Sequence, residues 1–157
     1  MLLFTNPLKA VYSIANEAFE RLKEHKATLA TAESCTGGWV SQAVTSVPGS
    51  SAVFDCGFVT YSNDAKQRIL GVSADTLAAF GAVSSQTAQA MAEGALMHSS
   101  ATISVSVTGI AGPDGGTPDK PVGTVWFGWA MRGQAVVTDH HCFAGDREAI
   151  RTQAVVH

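Results

Sequence analysis

Hydrophobic and polar positions follow two different periods along this chain, one typical of helices and one typical of strands. Between Pro7 and His25, apolar residues recur every three or four positions, and charged residues such as Glu17 and Lys23 fall largely between them. This spacing predicts an amphipathic helix. The apolar run from Ala27 to Ala32 has the length of a buried strand instead.

The rest of the pattern predicts helices that alternate with strands, with a β-hairpin formed by the last two strands. Asn63 is a suitable N-cap for one helix, and Gly71 is a suitable residue to end it. The triplet 132–134 predicts a β-hairpin between the last two strands. We expect helices over 37–47, 63–70, 75–80, 85–98 and from Asp146 onward, and strands over 53–61, 102–108, 124–131 and 135–143.

This order of elements predicts the fold class. Strands that alternate with helices and end in a hairpin indicate an α/β protein with a mixed sheet flanked by helices. We expect a single layered α/β domain over residues 1–157 with a C-terminal β-hairpin, in which the last helix is cut short.

Composition narrows the class of protein further. The net charge of −3 gives no basic surface, so we expect no nucleic-acid partner. No charged-then-apolar leader opens the chain and no apolar run approaches 18 residues, so we expect no membrane and a cytoplasmic location. The three cysteines have no CxxC spacing, which argues against a disulfide framework or a zinc site.

Two glycine-rich loops each follow an apolar strand, ESCTGG at 33–38 and GIAGPDGG at 109–116. Ligands in α/β sheets favour the loops beyond the carboxyl ends of strands. The backbone N–H groups of such loops can approach an anion closely. Together the two loops predict a ligand site, which neither loop would indicate as strongly alone.

Ser34 is a candidate nucleophile in the first loop. The N–H groups of Thr36, Gly37 and Gly38, at the start of a helix, could stabilise an oxyanion. The alternative is that Ser34 or Thr36 only caps this helix. Cys35 is a rival nucleophile, because a helix N-terminus lowers a thiol pKa. We prefer a buried, small hydrophobic role for Cys35, Cys56 and Cys142.

A serine nucleophile needs a base, and the histidines offer none. His140 and His141 are neighbours in a predicted strand, so their side chains point to opposite faces, and we expect neither a Ser-His-Asp triad nor a metal site. Lys66 follows the strand 53–61 and could face the same sheet edge as Ser34. To act as a base it must be neutral, which requires desolvation or a nearby cation. The alternative for Lys66 is a solvated surface lysine.

The second loop could bind a phosphate group, with Thr108 adding a hydroxyl. Asp114 precedes two glycines and is interpreted first as a turn residue and only second as an acid. Three cations could meet a phosphate, although solvated surface positions are the usual alternative for each: Lys120, Arg147 and Arg151.

Taken together, the motifs resemble the CinA (competence/damage-inducible) C-terminal domain family in its stand-alone amidase form. The resemblance covers nearly the whole chain. The matching stretches are AESCTGG (32–38), GFVTYSNDAKQRILGV (57–72), GAVS (81–84), TGIAGPDGG (108–116), KPVGTVWFG (120–128) and FAGDREAIR (143–151).

The resemblance implies hydrolysis of the carboxamide of nicotinamide mononucleotide to nicotinate mononucleotide and ammonia, in pyridine-nucleotide salvage. It implies a serine amidohydrolase with a lysine partner and no metal or cofactor, and it allows a homo-oligomer. The family's serine falls on Ser34 and its lysine on Lys66. Tyr61 and Asn63 match site residues near the lysine. The family's substrate-binding segment falls on Thr108 and the glycines that follow it, Gly109 and Gly112 among them.

Other functions stay open at this point. One alternative is a non-catalytic nucleotide-binding module in which Ser34 only donates a hydrogen bond. A second is an amidase or esterase that acts on other substrates. A purely structural or interaction role is the third, and the polar loops favour it least. The larger CinA proteins carry an additional N-terminal domain, and we expect none of that domain's activity here.

Overall fold

The computed structural model describes residues 6–157, and residues 1–5 lie outside the described part. The helices are α1 (Pro7–Glu24), α2 (Trp39–Thr45), α3 (Asn63–Leu70), α4 (Ala74–Phe80), α5 (Ser85–Met97) and α6 (Arg147–Val156). The strands are β1 (Leu29–Glu33), β2 (Phe54–Val59), β3 (Ile103–Gly109), β4 (Thr124–Met131) and β5 (Val137–Cys142), and a 3₁₀ turn covers Ser50–Ala52. Among the described helices, none is both long and apolar enough to cross a membrane.

The strands form one mixed sheet in the order β2-β1-β3-β4-β5. β1 pairs in parallel with both β2 and β3, whereas β4 and β5 run antiparallel as a hairpin. The predicted α/β class, mixed sheet and C-terminal hairpin are confirmed. Because β2, β1 and β3 are adjacent and parallel, the loops that follow their carboxyl ends meet at one edge of the sheet.

Helices cover both faces of this sheet. On one face, α3 and α5 pack over a cluster built largely of alanine, with Met91 and Leu70 at its centre. On the other face, α1 packs against α2 and α6. Val11 and Phe19 of α1 form one cluster there, and Ile150 of α6 joins a second cluster around Phe127.

Small residues let α5 lie unusually close to the sheet. The hydroxyls of Ser104 and Ser106 on β3 donate to the α5 carbonyls of Ala92 and Ala88, each at 2.6 Å. A Cβ on Gly128 of β4 would lie 2.6 Å from that same Ala88 carbonyl oxygen. The close approach of helix and sheet therefore depends on glycine and alanine at the contact.

Helix boundaries differ from the sequence prediction for reasons of local geometry. The helix predicted from residue 37 begins only at Trp39, because Gly37 and Gly38 have φ values of 61° and 100°, which no α-helix accommodates. The predicted N-cap Asn63 is instead the first residue of α3. Ser62 caps this helix, since its hydroxyl accepts a hydrogen bond from the Ala65 N–H. Gly71 ends the helix in the left-handed region, as predicted.

The buried role predicted for all three cysteines is correct only for Cys35. Cys56 is half-buried and Cys142 is exposed. Cys142 is the last residue of β5, an edge strand whose residues are mostly exposed, so alternation along the strand does not bury its thiol.

Candidate active site

Ser34 lies immediately beyond the carboxyl end of β1, the central strand of the three parallel ones. Its N–H donates to the Val107 carbonyl of β3 at 2.9 Å, which extends the strand pairing by one residue. The chain then turns through Gly37 and Gly38 into α2. The side chain is buried at 8% exposure, at the floor of a cavity.

Lys66 is the partner of this serine. Its Nζ lies 2.9 Å from the Ser34 Oγ and donates to the backbone carbonyls of Thr60 and Tyr61, at 2.9 and 3.0 Å. The side chain is only 1% exposed. Burial lowers the pKa of Lys66 below its ordinary value of 10.5. The alternative of a solvated surface lysine is therefore wrong.

The cavity above this pair has a volume of about 270 Å³. Its wall comes from the loops after β1, β2 and β3, from the segment before α5 and from the start of α6. Eight of the residues predicted for the site line it: Ser34, Tyr61, Asn63, Lys66, Thr108, Gly109, Gly112 and Arg147. The cavity thus brings together segments that are far apart in the sequence.

Three predicted substrate-binding residues, Thr36, Gly37 and Gly38, do not line the cavity. The Thr36 hydroxyl donates to the carboxylate of Glu33 at 2.7 Å, and the Gly37 N–H donates to the Ser34 carbonyl at 3.0 Å. The Thr36 hydroxyl and the Gly37 N–H therefore stabilise the turn between β1 and α2. Cys35, the residue next to Ser34, does line the cavity.

Glu33 was missed by the sequence analysis. Its carboxylate is 1% exposed and accepts hydrogen bonds from the N–H groups of Val40 and Ser41 and from the hydroxyls of Ser41 and Thr36. It therefore occupies the positive N-terminal end of α2. A glutamate directly before the predicted nucleophile, in an otherwise apolar strand, was the signal that could have revealed it.

Arg147 and Tyr61 form the rim of the cavity. The Arg147 guanidinium donates to the Gly112 carbonyl at 2.7 Å and to the Tyr61 hydroxyl at 3.1 Å. Tyr61 therefore contributes its carbonyl to Lys66 and its phenol to Arg147. Thr108 donates its hydroxyl to the Ala82 carbonyl, which ties the second loop to the segment before α5.

The other two candidate cations lie elsewhere. Lys120 donates to the Phe80 carbonyl at 2.8 Å. Arg151 donates to the carbonyls of Cys35 and Thr36 at 3.1 Å, and its guanidinium lies over the Trp39 ring. Arg151 thus holds the turn that carries Ser34, a role that the sequence analysis did not assign to it.

Cys35 is not an activated thiol. Burial raises its pKa to about 11, and this effect exceeds the opposite effects of its backbone hydrogen bond and of Arg151. The predicted hydrophobic role is therefore the correct one, and Ser34 is the better nucleophile of the pair.

A larger groove of about 760 Å³ lies between α1, α2, α6 and the sheet. Its lining is mostly aliphatic and aromatic, and it contains neither Ser34 nor Lys66. Size alone would favour this groove as a ligand site, but the reactive groups lie in the smaller cavity.

Comparison with known proteins identifies the family of this chain. The CinA C-terminal domain family matches residues 11–157. The chain belongs to this family. It is 51% identical over 144 residues to the nicotinamide-nucleotide amidohydrolase PncC of Escherichia coli K12, covering 92% of this chain and 87% of that protein. It is 49% identical over 146 residues to the protein of the same name from Pseudomonas putida, covering 93% and 91%.

Solved structures of CinA proteins have the same fold. The competence/damage inducible protein CihA of Agrobacterium tumefaciens superposes with a TM-score of 0.91 at 44% identity, covering 99% of this chain and 93% of that one. A CinA superfamily protein of Klebsiella pneumoniae gives 0.89 at 40% identity, covering 93% and 91%. The family predicted from the motifs is confirmed, and the predicted enzyme class agrees with the names of the CinA relatives.

Proposed function

We propose that this chain hydrolyses the carboxamide of nicotinamide mononucleotide to give nicotinate mononucleotide and ammonia, with Ser34 as nucleophile and Lys66 as general base. The observation that carries the proposal is the 2.9 Å separation of Lys66 Nζ and Ser34 Oγ at the floor of a cavity. The names of relatives about half identical to this chain support the choice of substrate.

The contacts of Lys66 suit a neutral amine. A neutral amine has two N–H bonds and one lone pair, and the carbonyls of Thr60 and Tyr61 can accept both N–H bonds. The lone pair then faces the Ser34 hydroxyl, which donates the hydrogen bond to the Lys66 nitrogen. This arrangement lets Lys66 take the serine proton as Ser34 attacks.

The reaction then follows from the positions of these groups. Ser34 Oγ bonds to the amide carbon while its proton passes to Lys66, and the amide oxygen takes up negative charge. The N–H of Cys35 and the backbone of the glycine loop after β3 supply donors for that oxygen. Lys66 returns the proton to the leaving nitrogen, and ammonia departs. Water then attacks the ester with Lys66 again as base, which releases the carboxylate and restores Ser34.

The cavity offers polar groups for both ends of such a substrate. Its volume lies just below the range of about 300–1,000 Å³ that is usual for ligand sites. The carboxamide would lie at Ser34 and the phosphate at Arg147 on the rim. A guanidinium has five N–H donors. The two donated to Gly112 and Tyr61 leave others for a phosphate.

Ammonia release from nicotinamide mononucleotide, measured with a chelator present, tests the proposal. Ser34→Ala should reduce turnover to background, and Lys66→Met should do nearly the same. Cys35→Ala is the matched control, because it removes the neighbouring thiol and leaves the Cys35 N–H in place; it should retain most activity. Turnover by Ser34→Ala would contradict the proposal.

The remaining alternatives have distinct outcomes in the same assay. Saturable nucleotide binding by the wild type without ammonia release would indicate a non-catalytic binding module. Equal turnover of nicotinamide mononucleotide and nicotinamide riboside would indicate an amidase with a different substrate range, since phosphate recognition predicts a strong preference for the nucleotide.

A further inference from the structure

Three potential metal ligands meet outside the active-site cavity. Asp139 and His141 lie two positions apart on β5, so their side chains share one face of the sheet. His157 follows the last turn of α6 and reaches the same place. The Asp139 Oδ2 lies 3.2 Å from His141 Nε2 and 3.7 Å from His157 Nε2. One ligand atom from each of the three residues lies within 4.8 Å of the others.

We propose that Asp139, His141 and His157 bind a divalent transition-metal ion of the zinc type. Zinc binds imidazole nitrogen and carboxylate oxygen at about 2.0–2.2 Å, so the ligand atoms of a tetrahedral site lie about 3.3 Å apart. The pair formed by Asp139 and His141 already has this separation. The His157 Nε2 lies 3.7 Å from the same Asp139 oxygen, close to this separation. Water would take the fourth position, because all three side chains keep access to solvent.

Aromatic rings restrict the two imidazoles. The His157 ring lies 4.2 Å from the His141 ring and 4.6 Å from the Phe127 ring, centroid to centroid. On its other side, His141 stacks on Phe143 with an interplanar angle of 16°. Such packing reduces the rotamer freedom that metal binding would otherwise have to remove, so the ligands are partly pre-organised.

The donor set selects the class of ion. Two imidazole nitrogens and one carboxylate suit Zn²⁺, Ni²⁺, Co²⁺ or Cu²⁺, whereas Mg²⁺ and Ca²⁺ prefer oxygen ligands. The bound ion would connect β5 to the end of α6, the helix that carries Arg147. No residue of the cluster lines the cavity of Ser34 and Lys66, so the ion would take no part in the proposed hydrolysis.

From the sequence, no metal site was expected, because His140 and His141 point to opposite faces of a strand and the other histidines lie in separate segments. Alternation along β5 places Asp139 and His141 on one face, but only the folded chain brings His157 beside them. His140 points to the opposite face, where it stacks on Trp126 at 4.3 Å. That neighbour provides a matched control for His141.

Calorimetric titration of the full chain with Zn²⁺ tests the proposal, with Mg²⁺ as the comparison ion. We expect one Zn²⁺ per chain and no Mg²⁺ binding. His141→Gln and Asp139→Asn should each weaken Zn²⁺ binding by more than about tenfold, since loss of even an outer-shell partner costs about 10–100-fold. His140→Gln should change the affinity less than about twofold, because its side chain lies on the other face.

A second measurement separates specific binding from general surface effects. Zn²⁺ should raise the melting temperature of the wild type and of His140→Gln, but not that of Asp139→Asn. Far-UV circular dichroism verifies that each variant is folded. Cys142→Ser tests whether the exposed thiol on the same strand is the true ligand; it should bind Zn²⁺ like the wild type. Absent binding, binding unchanged in His141→Gln, or binding lost in Cys142→Ser would each overturn the proposal.

Discussion

The burial of Lys66 should affect the pH dependence of activity. Its protonated form cannot accept the Ser34 proton, and burial lowers its pKa below 10.5. The value of kcat/KM should therefore rise with pH through that lowered pKa and level off above it. Initial rates of ammonia release across the alkaline range provide the measurement. A flat profile, or an inflexion at the ordinary lysine value, would contradict the assignment of Lys66 as base.

Arg147 should affect phosphate recognition more than chemistry. Arg147→Met removes a charged donor from the cavity rim but leaves Ser34 and Lys66 in place. A hydrogen bond to a charged group contributes about 1.5–3 kcal/mol. We therefore expect kcat/KM for nicotinamide mononucleotide to fall about 10- to 100-fold, mainly through KM.

Nicotinamide riboside is the control substrate for this variant, because it lacks the phosphate. Its turnover, however slow, should be nearly the same in Arg147→Met and in the wild type. An equal loss for both substrates would show that Arg147 acts through the shape of the cavity, by its contacts with Gly112 and Tyr61.

The sequence predicted that Ser34 and Lys66 lie close together, but not which groups hold them in place. The parallel strands predicted that both lie at one edge of the sheet, but only the family resemblance favoured Lys66 as a base over a solvated surface lysine. Glu33, and the role of Arg151 at the turn, were missed because the partners of both side chains lie in the turn and in α2, which are defined only by backbone geometry. Tyr61 was placed correctly near Lys66, yet its backbone carbonyl, and not its phenol, contacts the amine.

At the scale of elements, Arg132 joins the hairpin to the end of α5. Its guanidinium donates to the carbonyls of Leu96, Ser99 and Ala101, each at 2.8 Å. A cation at a helix C-terminus satisfies carbonyls that have no partner within the helix. Arg132→Ala should therefore lower the free energy of unfolding by about 1–3 kcal/mol.

Arg68 is the matched control for Arg132. It forms an ion pair with Asp64 one turn away on α3, and both side chains are largely exposed, at 67% and 81%. Such pairs contribute about 0.3–0.5 kcal/mol. Urea unfolding of Arg132→Ala and Arg68→Ala should thus give clearly different midpoints. Equal midpoints would show that the carbonyls of Leu96, Ser99 and Ala101 are satisfied without Arg132.

Element types were easier to predict than element ends. Periodicity identified the long helix α1 and the β-branched strand β3, since burial on one face or on both leaves a clear pattern. The start of α2 was misplaced because two glycines with positive φ hold the chain out of the helix. The glycine pair was a local signal for this turn, whereas its contacts with Glu33 and Arg151 form only in the folded chain.

At the scale of the whole molecule, α6 is packed onto the turn that carries Ser34. Ile150 is 1% exposed and belongs to the same cluster as Cys35, Val107 and Phe127. Ile150→Ala should lower the free energy of unfolding by about 2–5 kcal/mol, because it leaves a cavity in that cluster.

Val137→Ala is the comparison for Ile150→Ala, since Val137 is 62% exposed at the start of β5. Val137→Ala should change the free energy of unfolding by no more than about 0.5 kcal/mol. Denaturant unfolding curves of both variants check the contrast. A small loss in Ile150→Ala would mean that α6 contributes little to the stability of the sheet.

The cavity is built from segments that the ribosome makes at very different times. Ser34 and Lys66 emerge early, the glycine loop after β3 later, and Arg147 and Arg151 later still. Arg151 donates hydrogen bonds to the carbonyls of Cys35 and Thr36, which lie 116 and 115 positions earlier in the chain. A nascent chain that lacks α6 can therefore hold both reactive side chains and still have an unfinished rim. The proposed hydrolysis should therefore depend on α6, which carries neither Ser34 nor Lys66.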